Sequence, residues 1–236
     1  GCQIADDLHN SGRRVYLSVG RHTRVPRRYR GKDIAYWGAA LKRTEQIVDT
    51  VPVNIRKGPE LLITGANGGY DVNLRSMAAR GIVLLGHSRG VTDGDVLLDD
   101  DLEQQLLKGD EFFENFKKAV DQYVTQAGLE FPEDQGSEIN GNNAKQIPPP
   151  PSQLNLKDVG VSAIVWAGGF RYDFDWVKLP IFDDEGEPVH HRGVTQLPGI
   201  YFLGLRWLYK RKSSFFLRAG PAEDAAYLAE QIMARN

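Results

Sequence analysis

The sequence predicts an α/β fold with a mainly parallel sheet, and three observations carry that prediction. Helical and extended patterns alternate along the chain. The extended runs Ile82–Leu85, Val161–Ala167 and Ile200–Leu205 are nearly unbroken apolar blocks, the pattern of strands covered on both faces. Glycine and proline stand at the joints between the runs.

The chain opens with Ile4, Ala5 and Leu8 at helical spacing, closed by Ser11-Gly12. Val15-Tyr16-Leu17-Ser18-Val19 follows, rich in β-formers, and leads into Gly20-Arg21. This order matches the second half of a dinucleotide-binding βαβ unit whose glycine turn lies just before or at Gly1. Residues 21–60 read as loop and helix, with Ile34–Ile47 the helical candidate. Asp71–Arg80 reads as a short helix, supplied with Val72, Leu74 and Met77 and ended by Gly81. Ile82–Gly86 follows as a buried strand, then a hairpin from Val91 to Asp95–Leu98 around Asp93-Gly94. Asp99-Asp100-Asp101 starts a long helix, because acids suit a first helical turn. Phe112, Phe113, Phe116, Val120, Tyr123 and Val124 give it an apolar face that reads as core packing. Residues 132–153, with Asn140–Asn143 and Pro148–Pro151, read as a surface loop or stiff connector. The last third holds the strand Val161–Ala167, a hairpin over 181–190 around Asp184–Gly186, and the strand Ile200–Leu205. It ends in a helix over Ala222–Ala234 with Ala226, Leu228, Ala229, Ile232 and Met233 on its apolar face.

Composition narrows the class. The 236 residues suffice for one large domain or two small ones, and 41% hydrophobic with 25% charged residues is ordinary for a globular protein. No apolar run reaches the roughly 18 residues of a membrane helix, and no signal-peptide pattern is present, so the expectation is a cytoplasmic protein with no membrane partner. The single cysteine, Cys2, allows no internal disulfide. It reads as a small buried residue on a first helical turn, with thiol catalysis as the other reading. The net charge of −2 conceals an asymmetry. Residues 1–32 carry eight basic and two acidic residues, whereas residues 93–138 carry fourteen acidic residues and three lysines. A basic cluster directly after a strand favours a phosphate-bearing ligand. Aromatic interleaving by Tyr29 and Tyr36 alone argues against nucleic acid.

The candidate site follows from the same strand end. Folds that prefer NAD place an acid there for the ribose 2′-hydroxyl, and those that prefer NADP place arginine for the 2′-phosphate. The chain offers Ser18, Arg21 and His22, with Arg24 close behind and no acid until Asp33, which favours NADPH. Trp207, Tyr209, Lys210, Arg211 and Lys212 either border a substrate or form a solvated basic loop. His87, His190 and His191 lack companion ligands at metal-site spacing, so no metal is expected, and no catalytic side chain is assigned.

Gly1-Cys2-Gln3-Ile4-Ala5, Val15–Arg21, Val165–Phe170 and Pro198–Leu205 together resemble the flavin-containing monooxygenase family. The likeness is greatest to its bacterial flavoproteins, related to the plant indole-pyruvate monooxygenases, and it covers nearly the whole chain. It implies two Rossmann-like FAD/NAD(P)-binding domains. Residues 1–158 would be most of the NADPH domain, and residues 159–236 the C-terminal part of the FAD domain. The family's FAD-binding glycine motif would precede Gly1 within about 150 residues. On that mapping this chain does not catalyse alone. Ala167-Gly168-Gly169-Phe170 corresponds to the family's Ala-Thr-Gly-Tyr/Phe motif, with Gly168 in place of threonine. Gly204-Leu205 and the helix start Gly220-Pro221-Ala222-Glu223-Asp224 correspond to its last FAD-contacting segments, near which Arg218 is a departure. Gly1, Ala167, Gly168, Gly169, Gly204, Leu205 and Glu223 thus join Ser18, Arg21, His22 and Arg24 as cofactor-binding candidates.

The implied function is an FAD- and NADPH-dependent monooxygenase that oxidises a small organic substrate through a flavin hydroperoxide, with a homodimer as the assembly to test. The flavin carries the hard chemistry, which accounts for the lack of an obvious nucleophile or base. Two alternatives stay open: a flavin-dependent NADPH reductase that oxygenates nothing, and a truncated, non-catalytic nucleotide-binding module.

Overall fold

The structure is a computed structural model that describes residues 1–134, 147–214 and 221–235. Asn140–Asn143, Arg218 and Gly220 lie outside the described residues. In chain order the elements begin with α1 (Cys2–Asn10), β1 (Tyr16–Ser18), β2 (Thr23–Arg24), β3 (Arg28–Tyr29), β4 (Lys32–Asp33), α2 (Ile34–Ala40), α3 (Val53–Arg56), β5 (Leu61–Leu62) and α4 (Leu74–Arg80). They continue with β6 (Val83–Leu85), β7 (Ser88–Thr92), β8 (Asp95–Leu98), α5 (Leu102–Gln126), β9 (Gln153–Asn155), β10 (His190–His191), β11 (Val194–Thr195) and α6 (Ala222–Met233). The protein is mixed α/β. It divides into two units, residues 1–37 with 59–168, and residues 38–58 with 169–236.

In the first unit, β1 and β6 pair in parallel, Tyr16 opposite Val83 and Ser18 opposite Leu85. The ladder continues where Val19 N–H donates to the Leu85 carbonyl. Val15, Val19, Ile82 and Leu84 bury this pair against Ala5 of α1, Leu74 and Met77 of α4, and Leu102 and Leu106 of α5. α4 starts three residues later than the pattern over 71–80 suggests. Asn73 caps it, its side chain accepting from the N–H groups of Arg75 and Ser76, and Gly81 ends it at φ 116°. The parallel component is small: β2–β5 is the other parallel pair, and the remaining pairs, including β7–β8–β9, are antiparallel. The expected hairpin is present as β7–β8, and Gln153, expected in the connector, belongs to β9.

α5 fills its expected place, and Phe113, Phe116, Val120 and Val124 of its expected apolar face are buried. With Leu102, Leu106 and Gly109 they recur at three- and four-residue steps, while Phe112 faces out. The segment 24–30 docks on α5 through charge. Arg24 donates to Asp110 at 2.6 Å and lies 4.1 Å above the Phe113 ring; Arg75 reaches the other Asp110 oxygen at 2.9 Å. Further along, Asp121 accepts from Arg30 at 2.6 Å and from the Tyr29 hydroxyl at 2.9 Å. Burial and that hydrogen bond push the Tyr29 phenol up to about 12.

The second unit has less regular structure than its sequence pattern implies. The helix expected over Ile34–Ile47 stops at Ala40; Lys42 takes φ 54°, and a 3-10 turn covers Arg43–Glu45. Beyond it the backbone finds other partners: Val48 N–H donates to the Tyr209 carbonyl, and Arg211 N–H to that of Gln46. Those cross-chain bonds displace the helical ones. Ile200–Leu205, expected as a buried strand, makes a single bridge from Tyr201 to Val194, and Leu203 is exposed. On α6 only Asp224 and Leu228 are buried; Ala226, Ala229, Ile232 and Met233, expected inward, face out. The expected hairpin at 181–190 appears as a bridge between Phe182 and Pro188, turned at Gly186. In the first unit, Val161–Ala167 also forms no strand, and Trp166 is 80% exposed. An unbroken apolar run becomes a buried strand only beside partner strands and covering layers, which the described residues do not give it.

The Arg24–Asp110–Arg75 network is a stability determinant. Asp110→Asn leaves a nearly buried guanidinium without its carboxylate and is expected to lower unfolding stability by about 2 kcal/mol in urea titration. A loss below about 0.5 kcal/mol would mean that the ring contact with Phe113 alone satisfies Arg24.

Candidate functional site

The carboxyl ends of parallel strands are where α/β folds present backbone groups to ligands. At the β1 end, the Ser18 hydroxyl donates to the Gly86 carbonyl at 2.9 Å and accepts from Ser88 N–H at 3.0 Å. It ties β1 to the turn after β6 and has no donor left for a ligand. That turn is tight: a Cβ on Gly86 would overlap the Asp99 carbonyl, so only glycine fits there. Asp101, which precedes α5, accepts from His87 N–H at 2.9 Å and from the Gln105 amide at 2.9 Å. These bonds, partly offset by burial, hold its carboxyl below its usual value.

Gly20 is packed against His87, since a Cβ on Gly20 would lie 3.1 Å from the imidazole Nδ1. Arg21 is exposed and makes no hydrogen bond or ion pair with a described residue. Its basic neighbours differ. Arg24 is engaged by Asp110, Arg27 by Asp33 at 2.7 Å and Arg30 by Asp121. Arg28 donates to the carbonyls of Gly68 and Gly69, and Lys32 sits over Tyr36 and Phe131. Much of the basic stretch is therefore met by groups of the same chain.

His22 is half-buried, its Nδ1 3.2 Å from the Gly20 carbonyl. Its ring occupies the space that a side chain on Gly109 of α5 would need. Burial pushes its imidazole below the usual value. Gly1 precedes α1 as its cap residue, and a Cβ on it would lie 3.0 Å from that of Ala167. Two candidates 166 positions apart in sequence thus come together. Cys2, beside Gly1, is half-buried, and burial pushes its thiol up, which disfavours the nucleophilic thiolate. Gly168 and Gly169 are exposed, the latter at φ 97°.

The second unit holds the remaining candidates. Gly204 takes φ 86°, and Leu205 is half-buried. Glu223, in the first turn of α6, is joined to Lys210 at 3.0 Å and to Lys212; Glu45 accepts from the same two lysines at 2.8 and 2.9 Å. Lys210 and Lys212 are therefore an ion-pair lattice and not an open basic loop. The lysines hold both carboxyls below the usual value. Beside them Arg192 lies between the rings of Tyr209 and Tyr227, at 4.3 and 4.0 Å, and Ser213 donates to the buried Asp224 at 2.5 Å. His190 accepts from Gly193 N–H, and burial lowers its imidazole as well. Among the described residues no three His, Cys, Asp or Glu gather as a metal centre, and no helix is long and apolar enough to cross a membrane.

Sequence reasoning missed Gly20, Gly86, Asp101 and Gly109. Gly86 carried a readable signal, a glycine directly after a buried apolar run. Gly109 did not, because its need arises from His22, 87 positions away.

The chain is 43% identical over 76 residues to a Geobacillus kaustophilus protein named uncharacterized oxidoreductase CzcO-like; the stretch is 32% of this chain and 21% of that protein. It is 42% identical over 73 residues to the uncharacterized oxidoreductase CzcO of Bacillus subtilis, and 41% over 73 residues to that of Bacillus velezensis. Each stretch is 30% of this chain and 21% of the relative, so the likeness spans about a fifth of the curated relatives' length. No family model and no solved structure matches the chain.

Both lowered histidines set a pH dependence. A group whose folded-state value lies below its unfolded value near 6.5 takes up protons preferentially in the unfolded state as pH falls. Stability is thus expected to fall on acidification from about pH 7 to about pH 5.5. Thermal melts across that range check this, and His22→Gln should flatten the slope. An unchanged slope in the variant would acquit His22.

Proposed function

We propose that this protein is an NADPH-using oxidoreductase, and that Arg21 receives the 2′-phosphate of the dinucleotide. The carrying observation is the exposed guanidinium of Arg21 directly after a parallel strand, while Arg24, Arg27 and Arg30 beside it are each held by a carboxylate. The oxidoreductase names of the relatives point the same way. The residues at the strand end suit a dinucleotide: Ser18 holds the turn, and Gly20 carries no side chain there. A guanidinium matches a phosphate with paired, charge-assisted hydrogen bonds.

In the finer reading, the protein has a Rossmann-like two-domain architecture. Residues 1–158 serve NADPH and residues 159–236 belong to an FAD domain. The enzyme is a cytoplasmic monooxygenase of a small organic substrate, without nucleic acid or membrane partners. FAD would accept the hydride of NADPH and activate oxygen. For FAD the residues at hand offer room more than grip: no atom comes within 4 Å of a Cβ built on Gly168, Gly169 or Gly204, whereas Glu223 is held by two lysines. The protein's own contribution is to bind and orient: Arg21 fixes the adenosine end of the dinucleotide. An NADPH reductase without oxygenation is the second reading, because no catalytic side chain distinguishes the two.

Arg21→Ala is expected to raise the NADPH dissociation constant about tenfold and to leave that of NADH unchanged, measured by calorimetry. An unchanged NADPH constant would refute the assignment. FAD-loaded protein that bleaches faster with NADPH than with NADH supports a flavoenzyme. Oxygen uptake matched by oxygenated product separates monooxygenase from reductase.

A further inference from the structure

We propose that His87 is a second reader of the 2′-phosphate, set beside Arg21; this rests on the NADPH reading above. The argument begins with placement. His87 follows Gly86 at the end of β6, the parallel neighbour of β1, so it reaches the same edge from the adjacent strand. Its imidazole lies over Gly20, with Nδ1 3.1 Å from where a Cβ would stand, and Gly20 is the residue before Arg21. A larger residue at position 20 would displace the ring from this edge.

The backbone of His87 is held on both sides. Its N–H donates to Asp101 at 2.9 Å, and its carbonyl accepts from Asp99 N–H at 2.9 Å. The Ser18 hydroxyl, bonded to Gly86 and Ser88, locks the residues on either side of it. The side chain itself is exposed. A backbone held beneath a solvent-facing imidazole suits an anion held between two donors.

Charged and titratable groups reach His87 from each neighbouring element. Arg21 and His22 come from the β1 side. Asp101 precedes α5, and Asp99, paired with Arg89 at 3.5 Å, follows β8. His87 and Arg21 together then define a site for a phosphomonoester on a ribose.

The test compares adenosine 2′,5′-bisphosphate with adenosine 5′-monophosphate, which share the base and differ in the 2′-phosphate. Calorimetry at pH 6.5 and pH 8 gives the preference for the bisphosphate in the wild type, Arg21→Ala, His87→Gln and His87→Lys. The expected result is a preference that falls about tenfold in His87→Gln at pH 6.5 with monophosphate affinity unchanged. In His87→Lys the preference should persist at pH 8, which a merely structural histidine would not produce. If the wild type shows no preference for the bisphosphate, the NADPH reading fails and this inference with it. A preference lost in Arg21→Ala but intact in His87→Gln overturns the role of His87 alone. Equal weakening of both ligands in His87→Gln would mean that the ring packs on the base, which also overturns it.

Discussion

The first unit is organised by a carboxylate. Asp110 sits on the inner side of α5 and takes Arg24 with one oxygen and Arg75 with the other. The Arg24 side chain is 9% exposed, so its charge has almost no water and must be met by the protein. That requirement fixes the segment after β1 against the helix, and Asp121 repeats the arrangement about three turns further along α5 through Arg30 and Tyr29. Two arginines of the basic N-terminal stretch thus find their counterions on the acidic helix, far away in sequence.

This seam has consequences for the strand end. Once α5 is held, Gly109 admits the His22 ring, Asp101 holds the His87 backbone, and the Asp99 carbonyl closes over Gly86. The edge where Arg21 emerges is thus built by the start of one helix and by glycines that let side chains and carbonyls approach closely. It is tied together by hydrogen bonds to backbone groups.

The second unit solves its charge problem differently. Four charges, two lysines and two glutamates, form a shared lattice at half-exposed positions, where each pair alone is worth little and the network more. Arg192, between the rings of Tyr209 and Tyr227, then joins the turn after β10 to α6, and the Ser213–Asp224 bond joins residues 211–214 to the same helix. The unit is held by polar and aromatic contacts to a degree that its apolar sequence pattern did not suggest.

Local chemistry made several elements legible. α1, β1, β6, the β7–β8 hairpin, α5 and α6 follow from periodicity, caps and turn residues, each of which acts over a few positions. Arg21 as a strand-end cation was legible for the same reason. Val161–Ala167 and Ile200–Leu205 were misread because an apolar run states a preference for burial without supplying the neighbours that satisfy it. The helix expected through Ile47 was cut short by bonds to residues 209–211. By itself the sequence determined the helices and strands whose signals are local, and that an arginine follows the first strand. Only the tertiary structure decided which of the clustered arginines are held by carboxylates, because counterions such as Asp110 and Asp121 are brought to them by folding and not by sequence proximity.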